Sequence, residues 1–202
     1  MIHSTRVLRT ALALAIALAP ALPAAARTRP DPTPSKAASA LSQIRIENFG
    51  QINANYYRGA QPEGRDYADL AALGVKTIID LQEDGDPDEA RLAQAAGLTY
   101  HRIPMSTRRA PTAEQLASFF DLVNDAAAQP VYVHCKGGRH RTGVMTAAYR
   151  MSFEDWQADR AYEEMKRFDF GPSFLHPEFK DYVYSYDPRS VTARTVAATT
   201  QQ

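Results

Sequence analysis

The sequence predicts an α/β domain, with a mostly parallel central sheet flanked by helices. Three observations predict it. Short runs of β-formers at residues 75–81, 99–103 and 131–134 alternate with segments of helical spacing at 66–73, 86–96 and 112–127, and such alternation implies parallel strands joined by crossover helices. Gly74 and Gly97 stand just past the ends of the first two helical segments, where a left-handed cap is favoured. The last apolar run, Val131-Tyr132-Val133, leads into a glycine-containing loop and a further helix. That puts the loop at the carboxyl end of a strand, where open α/β sheets bind ligands.

Taken in order, residues 1–26 read as a signal peptide. Arg6 and Arg9 form a basic start, residues 11–22 are an apolar run with Pro20 near its end, and Ala24-Ala25-Ala26 offers a small-residue cleavage site. The run is too short to span a bilayer comfortably and no later stretch is long enough. The expected mature protein is therefore periplasmic or secreted, with no membrane partner after cleavage; a retained anchor is the alternative. A lone cysteine suits export, since no internal disulfide can trap it. Pro30, Pro32 and Pro34 mark residues 27–40 as a disordered linker. Residues 41–187 form one domain of about 145 residues, enough for a single core, and residues 188–202 read as a disordered tail.

Within the domain, residues 44–49 and 54–58 read as an antiparallel pair around a turn at 50–53. A helix at 66–73, a buried strand at 75–81, a helix at 86–96 and a strand at 99–103 follow. Thr112, with Gln115 three residues on, forms a capping box at the start of the next helix. Leu116, Phe119, Phe120 and Val123 would face the core. After the central strand at 131–134, helices are expected at 143–151, 152–168 and 177–184. Lys plus Arg equals Asp plus Glu at 23 each, and removal of Arg6 and Arg9 leaves 21 basic residues against 23 acidic. Nothing in that balance suggests nucleic acid.

The chemistry concentrates in His134-Cys135-Lys136-Gly137-Gly138-Arg139-His140-Arg141-Thr142-Gly143. With Gly137 and Gly138 free to take positive φ, the loop can curl so that its N–H groups converge on an anion. A helix starting near Arg141 adds its positive end to the same field. Cys135 at the bottom is expected to ionise below the free thiol value of about 8.5. Arg141 can hold two phosphate oxygens at once, and Thr142 can steady the sulfur as it leaves. Lys136, Gly137, Gly138, Arg139 and His140 complete the expected phosphate-binding set, while His134 is expected to organise the loop by hydrogen bonding. A cysteine after an apolar strand is ordinarily a buried small hydrophobe; the glycine pair and Arg141 in register set this one apart. His101 and His176 have no metal-ligand spacing, so no metal and no cofactor are expected.

His-Cys-x5-Arg-Thr-Gly resembles the signature of cysteine-dependent phosphatases, the protein tyrosine phosphatase and dual-specificity superfamily. The loop is closer still to the plant and fungal atypical dual-specificity phosphatases, which read Cys-Lys-x-Gly-Lys-His-Arg-Thr-Gly. Tyr57-Arg58-Gly59-Ala60-Gln61-Pro62 resembles that group's Tyr-Arg-Ser-x-x-Pro, and Trp156 with residues 162–168 resembles its Trp-containing helix. The resemblance covers residues 42–187. It implies a protein tyrosine phosphatase-like fold, a phosphocysteine intermediate on Cys135, and a phosphorylated small molecule or a phosphoprotein as substrate.

The superfamily usually takes its general acid from the loop before the long helix. Here residues 103–111, Ile-Pro-Met-Ser-Thr-Arg-Arg-Ala-Pro, hold no carboxylate. Asp84 is the candidate acid in its place, with Asp86 and Asp88 beside it; the plain alternative is a solvated turn before a helix. A missing acid favours anhydrides, because phosphate leaves with a pKa of about 6 against about 10 for tyrosine. Lys136, Arg139, His140, Arg141, Arg108 and Arg109 suggest a basic mouth. An inositol polyphosphate, a pyrophosphorylated inositol or a short polyphosphate is the expected preference, and the resemblance to inositol pyrophosphate phosphatases points the same way. A phosphotyrosine protein phosphatase and a catalytically weak phosphate-binding module are the alternatives.

Overall fold

The computed structural model describes Met1 and residues 41–189. The remainder of the signal segment, the linker expected at 27–40 and the tail beyond 189 lie outside the described residues. Among the described residues no helix is long and apolar enough to cross a membrane.

Five strands form one sheet: β1 (Gly50–Asn53), β2 (Tyr56–Ala60), β3 (Thr77–Gln82), β4 (Thr99–Met105) and β5 (Val131–Cys135). Their order is β1-β2-β5-β3-β4. Only β1 and β2 are antiparallel; every other pair is parallel. The three inner strands β2, β5 and β3 are buried along their whole length, as expected of strands covered on both faces. Edge strand β4 runs on through Pro104, beyond the expected end at 103. An edge position tolerates proline because one side of the strand donates to no neighbour.

Helices α1 (Asp66–Leu73) and α2 (Glu89–Ala95) cover one face; α3 (Ala113–Asn124), α4 (Arg141–Phe153), α5 (Ala158–Arg167) and α6 (Pro177–Ser185) cover the other. Alternate strand residues serve opposite faces. Ile79, Leu81, Val131 and Val133 pack in the α3–α6 core, whereas Ile78 and Tyr132 pack with Tyr67, Leu70 and Leu73 of α1. The expected inward row on α3 is buried throughout, and burying a side chain such as Phe119, fully enclosed here, contributes about 1.5–3 kcal/mol. The Thr112–Gln115 capping box is formed in both directions: Gln115 N donates to Thr112 Oγ1 at 3.2 Å and Thr112 N to Gln115 Oε1 at 2.8 Å. Gly74 takes φ 101° and closes α1 through Gly74 N to Ala71 O and Val75 N to Leu70 O, a left-handed C-cap.

The first hairpin differs from expectation. Residues 44–49 are not a strand, although Ile44 and Ile46 are buried. The turn falls at 54–55, where Asn53 Oδ1 accepts from Asn55 N at 2.9 Å, and an Asn that bonds its own backbone nucleates a turn. Gly50, expected in the turn, opens β1 instead; a Cβ there would stand 2.5 Å from the Phe168 ring, so the glycine makes room for that side chain. In the C-terminal half one helix does not run over 152–168. The chain breaks between α4 and α5 at 154–157, where Trp156 lies between the guanidinium groups of Arg150 and Arg160, at 4.3 and 3.7 Å from its ring centroid.

Candidate active site

Cys135 ends β5, Arg141 begins α4, and the five residues between them form a loop pressed against the end of β2, where Ala60 pairs with Cys135. Gly138 takes φ 64°, and a Cβ on it would stand 2.4 Å from the carbonyl carbon of Gly59 and 2.7 Å from Ala60 N. Those are backbone atoms, so position 138 admits glycine alone. Gly137 does not share the need. Its φ is not positive, and an added Cβ would meet only the Arg139 side chain at 3.5 Å.

Backbone accounting gives the loop its character. All five carbonyls are taken: Lys136 O accepts from Gln61 N at 3.3 Å, Gly137 O from Asn48 Nδ2 at 3.0 Å, and Gly138 O from Arg58 Nη2. Arg139 O and His140 O accept from Gly143 N and Val144 N at 3.1 and 2.9 Å, starting α4. A peptide unit is planar and trans, so a carbonyl turned outward turns the next N–H inward. Among the described residues, the N–H groups of residues 137–140 go to no protein acceptor. They are available to an anion at the loop that follows Cys135, itself 4 % exposed, and the amino end of α4 adds its positive end.

Arg141 is 3 % exposed and donates from Nη1 to Met105 O at 3.2 Å and to Asp84 Oδ1 at 3.1 Å. That bond, a bond to its own backbone and the nearby Arg141 and Lys136 charges hold the exposed Asp84 carboxyl below the usual carboxylate range. Asp84 is thus ionised at neutral pH, a state that cannot donate a proton. Asp86 bonds Asp88 N at 2.8 Å and Asp88 pairs with Arg91 at 3.6 Å, the solvated-turn alternative. Thr142 Oγ1 is buried without a hydrogen-bond partner among the described residues, so the expected hydroxyl-to-sulfur bond is not formed.

Two expected phosphate contacts direct their side chains elsewhere. Arg139 reaches back to Glu47 at 2.8 Å and Asp169 at 3.5 Å. His140 Nε2 donates to Phe170 O at 3.0 Å, and its ring centroid lies 3.9 Å from that of His176. Burial first, then the neighbouring His176, push the His140 pKa below its ordinary value, so the ring is neutral at pH 7. Lys136 faces a cleft of about 600 Å3 beside the loop, lined also by Gln61, Glu63, Tyr67, Asp84 and Asp86. Arg108 and Arg109 are exposed. The mouth is less basic than its sequence implies.

His134 does not bond the loop. On the opposite face of β5 from Cys135, it lies beside Asp80 in the strand register and points its ring at α2, with Nε2 2.9 Å from Glu89 Oε1 and Nδ1 4.0 Å from Asp80 Oδ1. All three side chains are fully buried. The His134–Glu89 contact is close but out of line for a hydrogen bond. Asp80 Oδ2 accepts from Arg102 Nε and Tyr100 OH, each at 2.8 Å. The ligand atoms of Asp80, Glu89 and His134 lie within 4.8 Å of one another, a spacing open to a metal. Arg102 pairs with Asp80 at 2.8 Å, while both Glu89 oxygens and both ring nitrogens of His134 have no hydrogen-bond partner among the described residues. The sequence reading missed Arg58, Asp80 and Glu89. The signal for the first two was a charge inside a buried strand, which demands a partner.

Residues 41–178 match the protein-family model "PTP-NADK: DSP-PTPase phosphatase fused to NAD+ Kinase". Dual specificity protein phosphatase TpbA of Pseudomonas aeruginosa is 35 % identical over 124 residues, covering 61 % of this chain and 56 % of TpbA. Inositol diphosphatase SIW14 of Saccharomyces cerevisiae is 27 % identical over 133 residues, 63 % of this chain and 47 % of SIW14. The chain thus spans about half the length of these curated relatives. The crystal structure of P. aeruginosa TpbA superposes with a TM-score of 0.64 at 28 % identity, over 74 % of this chain and 91 % of that one. A Cys-to-Ser form of TpbA in complex with phosphotyrosine gives 0.64 at 27 %, over 74 % and 90 %. The SIW14 catalytic domain, at 22 % identity and a TM-score of 0.66 over 77 % and 95 %, shares the fold. The outward-bound carbonyls, the cysteine beneath them and the family match over residues 41–178 agree: the chain belongs to the dual-specificity, protein tyrosine phosphatase-like family of cysteine phosphatases.

Proposed function

We propose that the protein hydrolyses a phosphorylated molecule by two in-line displacements at Cys135. The sulfur attacks phosphorus, Arg141 and the inward N–H groups hold the equatorial oxygens, and the leaving group departs. Water then attacks the phosphorus of the phosphocysteine, the S–P bond breaks, the water oxygen and its protons leave with the phosphate, and the thiolate is regenerated. Thr142, its hydroxyl uncommitted, turns to the departing sulfur, and Lys136 draws the anion in. The observation that carries this reading is that all five loop carbonyls are bound, three from behind the loop and two within α4, which leaves the N–H groups of residues 137–140 without a protein acceptor among the described residues.

The preferred leaving group is one that departs without a proton, as in a pyrophosphorylated inositol or a short polyphosphate. Asp84 is ionised, and residues 106–112 contain no carboxylate. The likeness to an inositol diphosphatase supports the same class. A second reading, phosphotyrosine protein phosphatase, is favoured by Glu63, Asp84 and Asp86 in the adjoining cleft, which repel additional phosphates, and by the likeness to TpbA. We also propose export to the periplasm or medium, on the basic, apolar and small-residue pattern of residues 1–26; cell fractionation of the full chain tests it.

The deciding assay is phosphate release from tripolyphosphate, inositol pyrophosphate, inositol hexakisphosphate and phosphotyrosine peptide, with Cys135→Ser alongside. Release from the anhydrides that Cys135→Ser abolishes is the expected result. Release chiefly from phosphotyrosine would select the second reading, and no release from any of them would leave a phosphate-binding module. Asp84→Asn separates the acid question. It is expected to change kcat by less than about tenfold and to lower KM, because the carboxylate no longer competes for Arg141. A loss in the range of about 10²–10⁴-fold, confined to the tyrosine ester, would restore Asp84 as the acid.

A further inference from the structure

We propose that Arg58 is a positioning residue for phosphate capture: it holds the Gly138 carbonyl behind the loop and thereby keeps the Arg139 N–H turned toward the phosphate. The inference rests on the phosphatase reading of the loop and assigns a role to a side chain that never touches substrate.

Arg58 lies in β2 and is 0 % exposed. Its Nη2 donates to Gly138 O, and its guanidinium carbon stands 4.0 Å from the centroid of the Phe168 ring. Nε and Nη1 have no hydrogen-bond partner. Among the described residues no carboxylate pairs with it; Glu164, whose charge acts on it from a distance, is held by Arg150 at 2.9 Å. A buried guanidinium with no carboxylate partner and two unused nitrogens is costly, and a well-packed apolar residue is often as stable or more so; besides Glu164, the anion whose charge acts on it is the Cys135 sulfur of the loop. Stability therefore does not account for an arginine here. Its one acceptor is a loop carbonyl, which points to the loop.

The need for such a donor follows from the loop's glycines. Gly138 sits at φ 64° and follows a second glycine, and glycine passes between positive and negative φ at little cost. The peptide joining Gly138 to Arg139 turns about ψ of Gly138, which glycine leaves open, and φ of Arg139; turned over, it would swap an inward N–H for an inward carbonyl and set a partial negative charge against the phosphate. Arg58 is placed to prevent it. Phe168 keeps the guanidinium in place, admitted by the bare Cα of Gly50. Asn48 Nδ2 holds Gly137 O at 3.0 Å and reaches Phe168 O at 3.4 Å. One assembly fixes two successive peptides.

The test is Arg58→Met in the full chain, read by melting temperature, by kcat/KM, and by the amide resonance of Arg139 during titration with orthophosphate. The wild-type Arg139 amide is expected to move downfield as phosphate binds. In Arg58→Met the melting temperature should hold while that response disappears and kcat/KM falls about 10²–10³-fold, the effect of losing one preorganised donor. A folded Arg58→Met whose Arg139 amide still responds overturns the assignment. If that variant does not fold, Arg58→Lys, whose stem ends one bond sooner, is read in the same way: loss of the response supports the assignment and retention overturns it. A wild-type protein in which no loop amide responds to phosphate defeats the functional reading itself, and the Arg58 assignment with it. A response in both wild type and variant defeats only the latter.

Discussion

Arg141→Ala is expected to lower kcat/KM by about a thousandfold while leaving the fold intact. Arg141 is buried where the loop meets α4, with Nη1 donating to Met105 O and Asp84 Oδ1. A planar fork matches two oxygens of a phosphoryl group, and charge-assisted bonds of this kind are roughly twice as strong as neutral ones. Removing a single preorganised donor in such a site costs about 10²–10³-fold, and Arg141 supplies two donors with a full charge. Its partners bear the loss lightly: Asp84 is 71 % exposed and turns to water. Arg141→Lys keeps charge without the fork and should recover only part of the rate. Steady-state kinetics with an activated aryl phosphate, beside a melting curve, decide it; a loss below tenfold would mean that the loop N–H groups alone carry recognition.

The second large effect concerns stability. His134→Ala should destabilise the domain by about 2–5 kcal/mol, the range for truncating a large, fully buried side chain and leaving a cavity. The Glu89 side chain would be left fully buried beside Asp80 without the ring it packs against, and only Asp80 would keep a polar partner, Arg102. The paired replacement His134→Leu with Glu89→Leu removes both polar groups, fills the space and should cost far less than His134→Ala, since exchanging both partners of a buried polar contact for apolar groups of similar shape is often nearly neutral. Urea titrations of the three proteins give the comparison. If His134→Ala lowered stability by less than about 1 kcal/mol, the contact would be no more than an incidental approach. Because His134 precedes Cys135, the cluster also anchors the strand that carries the nucleophile.

Much of this was legible in residue order. The strand, loop and helix around Cys135 were readable because glycine, arginine and a β-forming run each restrict the backbone locally, and Gly74 and Thr112 declared helix ends for the same reason. Arg58 and Glu89 were not readable in their roles. The first looked like part of a short motif, and its partner Gly138 is 80 residues away. The second stood in the first turn of a helix, where a solvated acid is the ordinary occupant, and only the packing of α2 against β5 buries it. The hairpin register failed for a related reason: Gly50 reads as a turn residue until Phe168, 118 positions later, is found filling the space above it. Arg139 and His140 lie within the motif but spend their side chains on Glu47 and Phe170, since spacing constrains the loop backbone more tightly than its side chains.

The strand order carries a kinetic consequence. β5, the last strand in the chain, lies between β2 and β3, so without it the β1–β2 hairpin and the parallel pair of β3 with β4 are separate, with an open slot between them. Tyr56 meets Val131 only when that slot is filled, a closure over about 75 residues of the slow, non-local kind that dominates folding times. The filling strand is the one that ends in Cys135, and Asn48, Arg58 and Gln61 find the loop carbonyls in the same event. A nascent or unfolded chain therefore carries the thiol but none of its catalytic surroundings. The ordering keeps the nucleophile idle until the sheet is complete.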